Sequence, residues 1–218
     1  MSRKSEPQLT SWKQEDFTKI TFKPDLAKFG MDSFDDDIES LFKKRVYDLA
    51  GCIPGVKVFL NDERIKIKGF RPYIDMYLKD SPEVEGSGTK HPIIHQVVND
   101  RWEIAFTISD GQFQQVSFVN SISTSKGGTH VNHVADQIVT RLLEHIKKKN
   151  KSVNLKPFQV KSHLSLFVNC LIENPSFDSQ TKENMTLRAS AFGSKCDLDE
   201  EFYKKIMKSG VLESKSIH

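Results

Sequence analysis

Gln180, Thr181 and Lys182 lie in the polar stretch Glu173-Asn174-Pro175-Ser176-Phe177-Asp178-Ser179-Gln180-Thr181-Lys182-Glu183, directly after an alternating apolar run. A lysine ammonium meets phosphate as a point charge, and a glutamine amide can donate an N–H beside it. A loop rooted in a rigid sheet presents such groups in fixed geometry. From residue type alone a solvated surface charge is the favoured reading of this lysine. A second candidate is Lys147, Lys148 and Lys149 with Lys151, at the end of an apolar helical stripe. Cations there complement the negative end of the helix dipole. The run also suits DNA phosphates, with release of counterions, or a nuclear-import signal.

Other constellations are weaker. Lys126-Gly127-Gly128-Thr129 precedes a helix start that could bind an anion, but lacks G-x-x-x-x-G-K-[ST] and reads best as a strand-to-helix turn. The pairs His91/His95 and His130/His133 have helical ligand spacing. No Cys or carboxylate pattern completes either one, so ordinary histidines are expected and no metal site. Neither a Ser/His/Asp nor a Cys/His set stands out.

Bulk properties narrow the classes. The 218 residues fit one domain with appendages, and 37% hydrophobic with 28% charged residues is ordinary for a globular protein. A net charge of +3, from 32 basic and 29 acidic residues, does not by itself indicate nucleic-acid binding. Cys52, Cys170 and Cys196 are too widely spaced for a disulfide framework or zinc site, which favours cytosol or nucleus. No apolar run reaches ~18 residues and no signal peptide opens the chain, so a soluble intracellular protein without a membrane partner is expected.

These residues need elements to position them. Residues 1–16 read as a linker or frayed end, and residues 17–22 as a strand with Ile20 and Phe22 on one face. Ser33 is the expected N-cap of a helix whose Asp35, Asp36 and Asp37 lie at its positive end and whose C-cap is Gly51. Val56, Val58 and Leu60, a turn at 61–64, and residues 65–68 predict a hairpin. A short helix follows from Phe70, then a flexible loop over 80–90. Trp102, Ile104, Phe106 and Ile108 alternate as a strand, and Asp110-Gly111 signals a hairpin into a second strand over 112–120. A loop over 121–129 leads to the longest helix, about 130–149, striped by Val131, Val134, Ala135, Ile138, Leu142 and Ile146. Leu164, Leu166, Val168, Cys170 and Ile172 then predict a buried strand. A short apolar run at 185–187 and a charged helix over about 198–207 complete the chain. Hairpin strands with two substantial helices indicate an α+β fold, with a mixed sheet and helices packed mainly on one face.

Six segments resemble eukaryotic type II DNA topoisomerases, in the expected order. They are FTKITFKPDLAKF (17–29), VKVFLN (56–61), GQFQQVSFVNSISTSKGGTHV (111–131), ADQIV (135–139), KKKNK (147–151) and FVNCLIENPSFDSQTKENMTL (167–187). The resemblance implies a transducer domain over 17–210, similar in fold to ribosomal protein S5 domain 2, with residues 1–16 as a linker and 211–218 as a tail. It implies that Gln180, Thr181 and Lys182 contact ATP held mainly by a neighbouring domain, with Lys182 at the γ-phosphate. Lys147, Lys148 and Lys149 match the family's DNA-contacting basic loop. Mg2+, a nuclear location and a homodimeric parent enzyme are implied too, without Mg2+ ligands here. Ser165 departs from the family, which often has an aromatic residue there.

The chain opens almost directly on these segments, and none of Tyr47, Tyr73, Tyr77 or Tyr203 directly follows an Arg, as the family's DNA-cleaving tyrosine does. A fragment, truncated gene model or short isoform is therefore expected. It would lack the ATP-binding domain and the cleavage core, both partners in the parent, and would neither hydrolyse ATP nor cleave DNA alone. The rival reading is a stand-alone, non-catalytic module that binds DNA or caps a full-length subunit.

Overall fold

The computed structural model describes residues 5–79, 90–151 and 154–213, which fall into two units, 1–39 and 40–218. The expected loop over 80–90 lies, up to residue 89, outside the described residues.

In the first unit the strand expected over 17–22 is absent. Phe17, Ile20 and Phe22 are exposed and lie in no strand. Period-two patterning reports a suitable face, whereas a strand exists only with a neighbour to receive its backbone hydrogen bonds. A 3-10 turn, Leu26–Phe29, ends at Gly30, whose φ of 65° supplies the left-handed cap. Helix α1, Asp36–Cys52, is capped by Asp35 rather than Ser33: its Oδ1 accepts from Ile38 N–H at 2.8 Å.

The second unit is organised around its most apolar strand. After α1, the short strands β1 (Phe59–Leu60) and β2 (Glu63–Arg64) form a hairpin whose turn is only Asn61 and Asp62, so the return strand lies at 63–64 instead of the expected 65–68. Both turn residues have positive φ, 49° and 66°, as a two-residue hairpin turn of primed type requires. Helix α2 covers Phe70–Tyr77. Strands β3 (Ile94–Asn99), β4 (Trp102–Ile108), β5 (Gln114–Val119), β6 (Ile122–Ser123) and β7 (Gly127–Gly128) precede the long helix α3, Thr129–Lys149. Helix α4 (Pro157–Lys161), β8 (Leu164–Cys170), β9 (Asn184–Met185) and α5 (Glu200–Met207) follow.

The main sheet has the order β3-β4-β8-β5-β6. Thus Asp110-Gly111 does not close a hairpin, because β8 lies between β4 and β5. It pairs antiparallel with β4, from Trp102↔Cys170 to Ile108↔Leu164, and parallel with β5. A strand apolar on both faces is best satisfied at the centre of a sheet, and that preference outweighs a local turn signal. Gly111 still turns the chain, at φ 81°.

One sheet face packs Ile104, Phe106, Leu164, Leu166 and Val168 against Val134, Ile138 and Leu142 of α3 and Phe202 and Ile206 of α5. The larger share of helix thus covers this face. The other presents Ala105, Phe118 and Phe167 to Phe70, Tyr73 and Ile74 of α2 and to Cys52 at the end of α1. Each fully buried side chain of this size contributes about 1.5–3 kcal/mol. Gly51 lies within α1 rather than at its cap: a Cβ there would meet the Tyr73 ring at 2.6 Å, so glycine lets α2 approach. Buried Asp48 accepts from Tyr73 Oη at 2.6 Å and from Lys44 Nζ at 2.8 Å, so its charge is paired inside the contact. The three cysteines are free and buried, and burial pushes the Cys196 thiol up to about 12.

Candidate functional site

Beyond β8 the chain is locked before it turns. The Asn120 side chain accepts from Ile172 N–H at 2.9 Å and donates to the Ile172 carbonyl at 3.0 Å. The loop then folds on itself as a stem: Phe177 bridges Met185, Thr186 N–H donates to Ser176 O at 2.8 Å, and Asp178 N–H donates to Asn184 O at 3.3 Å. Its tip carries Gln180, Thr181 and Lys182. There Lys182 N–H donates to Ser179 O at 3.1 Å, and the hydroxyls of Ser179 and Thr181 are 2.9 Å apart. Lys182 has φ 59°, a left-handed conformation costing a non-glycine residue of order 1–3 kcal/mol. Such strain persists only where surrounding contacts over-determine the backbone.

A second strut supplies those contacts. The segment expected to be a plain strand-to-helix turn, 126–129, is zipped onto the outgoing arm of the loop. Lys126 N–H donates to Glu183 O at 2.9 Å, and β7 pairs parallel with β9 as Gly127↔Asn184 and Gly128↔Met185. Thr129 Oγ1 donates to Leu187 O. A Cβ on Gly128 would stand 2.3 Å from Met185 O, so only glycine permits this approach. The Lys126 and Glu183 side chains pair at 2.8 Å. Sequence reasoning missed Lys126, Gly128 and Glu183 as parts of the site. The Gly-Gly before a helix was the available signal, since paired glycines mark close backbone approach.

Gln180 and Thr181 are exposed and Lys182 is half-buried. Lys182 Nζ lies 5.9 Å from the centroid of the Phe177 ring, and no carboxylate among the described residues pairs with it. Lys147, Lys148 and Lys149 form the exposed last turn of α3, also without an acidic partner among the described residues. The two clusters are not brought together. The loop is fastened beside the first turn of α3 and the lysines end it, 21 residues along, or about 30 Å at 1.5 Å per residue.

Three of the four paired histidines are engaged otherwise: His95 Nε2 lies 2.7 Å from Glu103, the His133 ring meets Trp102 tilted and Phe192 edge-on, and buried His130 Nε2 lies 3.1 Å from Thr124 Oγ1. Burial lowers the His130 pKa to about 4. Among the described residues no group of three His, Cys, Asp or Glu side chains is placed to hold a metal ion. No helix among them is long and apolar enough to cross a membrane.

A family model described as DNA gyrase B matches residues 69–217. DNA topoisomerase 2-beta of Gallus gallus is 55% identical over 215 residues, 98% of this chain and 13% of that protein. DNA topoisomerase 2 of Bombyx mori is 56% identical over 216 residues, 98% of this chain and 14% of that protein. The chain thus spans about one seventh of these relatives. The solved ATPase region of Saccharomyces cerevisiae topoisomerase II superposes with a TM-score of 0.78 at 46% identity, covering 88% of this chain and 48% of that one. The ATPase and transducer domains of DNA topoisomerase II from Balamuthia mandrillaris give a TM-score of 0.80 at 40% identity, covering 89% and 47%. These matches agree with the mixed sheet and the S5 domain 2-like transducer fold. The chain belongs to the DNA gyrase B family and is similar over 98% of its length to eukaryotic DNA topoisomerase 2 proteins.

Proposed function

We propose that this segment is the transducer of an ATP-dependent type II topoisomerase, coupling the nucleotide state of an adjoining ATP-binding domain to DNA strand passage. The transducer covers 17–210, with 1–16 as a linker and 211–218 as a tail. The observation that carries the reading is the double anchorage of the loop bearing Lys182. One strut ties the chain just beyond β8, at Ile172, to Asn120 beyond β5, and the other ties the outgoing arm to β7 and to Thr129 at the start of α3. A force on Lys182 is therefore passed to a rigid helix whose far end carries Lys147, Lys148 and Lys149.

The side chains suit a triphosphate. Lys182 is a cation without a carboxylate partner among the described residues, and Gln180 offers an amide donor from the same exposed tip. ATP held by the adjoining domain, with Mg2+ ligated there, supplies a terminal phosphate that hydrolysis removes. Lys182 and Gln180 bind that end of the nucleotide, and Thr181 orients the turn between them. A contact made only in the triphosphate state biases the position of the loop, which is the requirement for a switch. Lys147, Lys148 and Lys149 meet DNA phosphates, each contact releasing counterions. The enzyme works as a nuclear homodimer, as the resemblance implies.

The test is Lys182→Ala in the enzyme that contains this segment and its ATP-binding domain. Loss of a positioned cation should lower ATP turnover by about 10²-fold, within the range for removing one preorganised electrostatic contact. The loop backbone does not use the lysine side chain, so thermal stability should be unchanged. Normal turnover would refute the assignment.

A further inference from the structure

Glu183 directly follows Lys182 in the chain, so its carboxylate could compete for that cation and repel a bound triphosphate. Instead it accepts from Lys126 Nζ at 2.8 Å. Its backbone carbonyl accepts from the Lys126 N–H, so the two residues face each other in both main chain and side chain. Lys182 itself is held in a left-handed backbone conformation, φ 59°. Given the phosphate role proposed above for Lys182, we infer that Lys126 is a positioning residue that sequesters the Glu183 carboxylate and so keeps Lys182 available to the nucleotide.

The local electrostatics agree with this geometry. The Lys126 hydrogen bond, followed by its charge, holds the Glu183 carboxyl below the usual carboxylate range, with smaller contributions from Thr181 and Ser125. Glu183 in turn raises the Lys126 pKa, chiefly through the same hydrogen bond. The pair is surface-accessible, with side chains 67% and 37% exposed, so it adds little to global stability. Its importance lies in where one negative charge points. The backbone ladder between β7 and β9 persists without either side chain, which separates charge placement from anchorage.

The experiment measures ATP turnover in the enzyme containing this segment, for Lys126→Met, Glu183→Gln, the double variant and Lys182→Met. Freeing one carboxylate a few ångströms from a polyanion should raise the KM for ATP in Lys126→Met by roughly three- to tenfold at low salt. Screening should shrink the effect as salt is added. The kcat should change less than KM. The double variant lacks the carboxylate altogether, and its KM should return to within about twofold of wild type, given that one unit charge is all that separates it from Lys126→Met. A lack of rescue, or an unchanged KM in Lys126→Met while Lys182→Met still collapses turnover, would overturn the inference about Lys126 and leave the phosphate role standing. If Lys182→Met turns over ATP normally, the phosphate role itself fails.

Discussion

Gly128→Ala should damage the site more than any nearby surface change. A methyl group at this position would lie 2.3 Å from the carbonyl oxygen, 2.6 Å from the nitrogen and 2.9 Å from the Cα of Met185. All three are backbone atoms, so no rotamer change relieves the clash. The arm must retreat by roughly 1 Å to restore ordinary separations. That movement breaks the β7–β9 pairing and pulls Met185, which is 1% exposed, from the core. Gly128 also has φ 139°, a conformation strained for alanine. Backbone strain of about 1–3 kcal/mol and overpacking of about 1–3 kcal/mol give a central expectation of about 4 kcal/mol. For a protein of this size that lowers Tm by roughly 8–16 °C. Gly55→Ala provides the control, because Gly55 has φ 83° but nothing within 4 Å of a new Cβ, so it isolates the backbone cost. Thermal unfolding gives the stability. Amide hydrogen exchange at Lys126 and Asp178, whose N–H groups donate to Glu183 O and Asn184 O, reports the loop. Gly128→Ala should lose protection there well before the centre of β4. Stability equal to that of Gly55→Ala, with those amides still protected, would refute the claim that the loop is fastened to α3 at this crossing.

Two further outcomes follow from other parts of the structure. Replacing Lys147, Lys148 and Lys149 together by Ala should reduce the slope of log K for DNA binding against log salt by about 1 per lost phosphate contact. An unchanged slope would leave these lysines as helix-end charges only. His130 is buried with its pKa depressed to about 4 from 6.5, and its Nδ1 has no hydrogen-bonding partner among the described residues. Between these values the unfolded chain binds more protons than the folded one, so stability rises with pH across the window and falls as pH drops from 6.5 towards 4. The contribution is about 3 kcal/mol at full extent, from about 1.36 kcal/mol per pKa unit. His130→Gln should flatten the dependence of Tm on pH in that window, and an equally steep profile would contradict the assignment.

The long elements were legible in the sequence because their signals are local. The stripe from Val131 to Leu142 specified α3 to within a residue of its start, and the β4 and β8 alternations placed both strands. Pairing was not legible. Asp110-Gly111 has the chemistry of a hairpin turn, and nothing nearby reveals that β8, more than forty residues on, enters between its flanking strands. Residues 17–22 alternate like a strand but have no sheet neighbour. Ser33 and Asp35 are both good caps, and only the position of Ile38 N–H decides between them. The candidate site divided similarly. Gln180, Thr181 and Lys182 were visible from their types, whereas Lys126 and Gly128 belong to it only through a parallel pairing across 57 residues.

The central claim is that Lys182 meets the terminal phosphate of ATP. A crystal structure of the enzyme portion joining the ATP-binding domain to this segment, with a non-hydrolysable ATP analogue, tests it directly. Lys182 Nζ should stand about 3 Å from a γ-phosphate oxygen, as a charge-assisted hydrogen bond requires. Lys182 still lying over the Phe177 ring, with no nitrogen near the phosphate, would contradict the account.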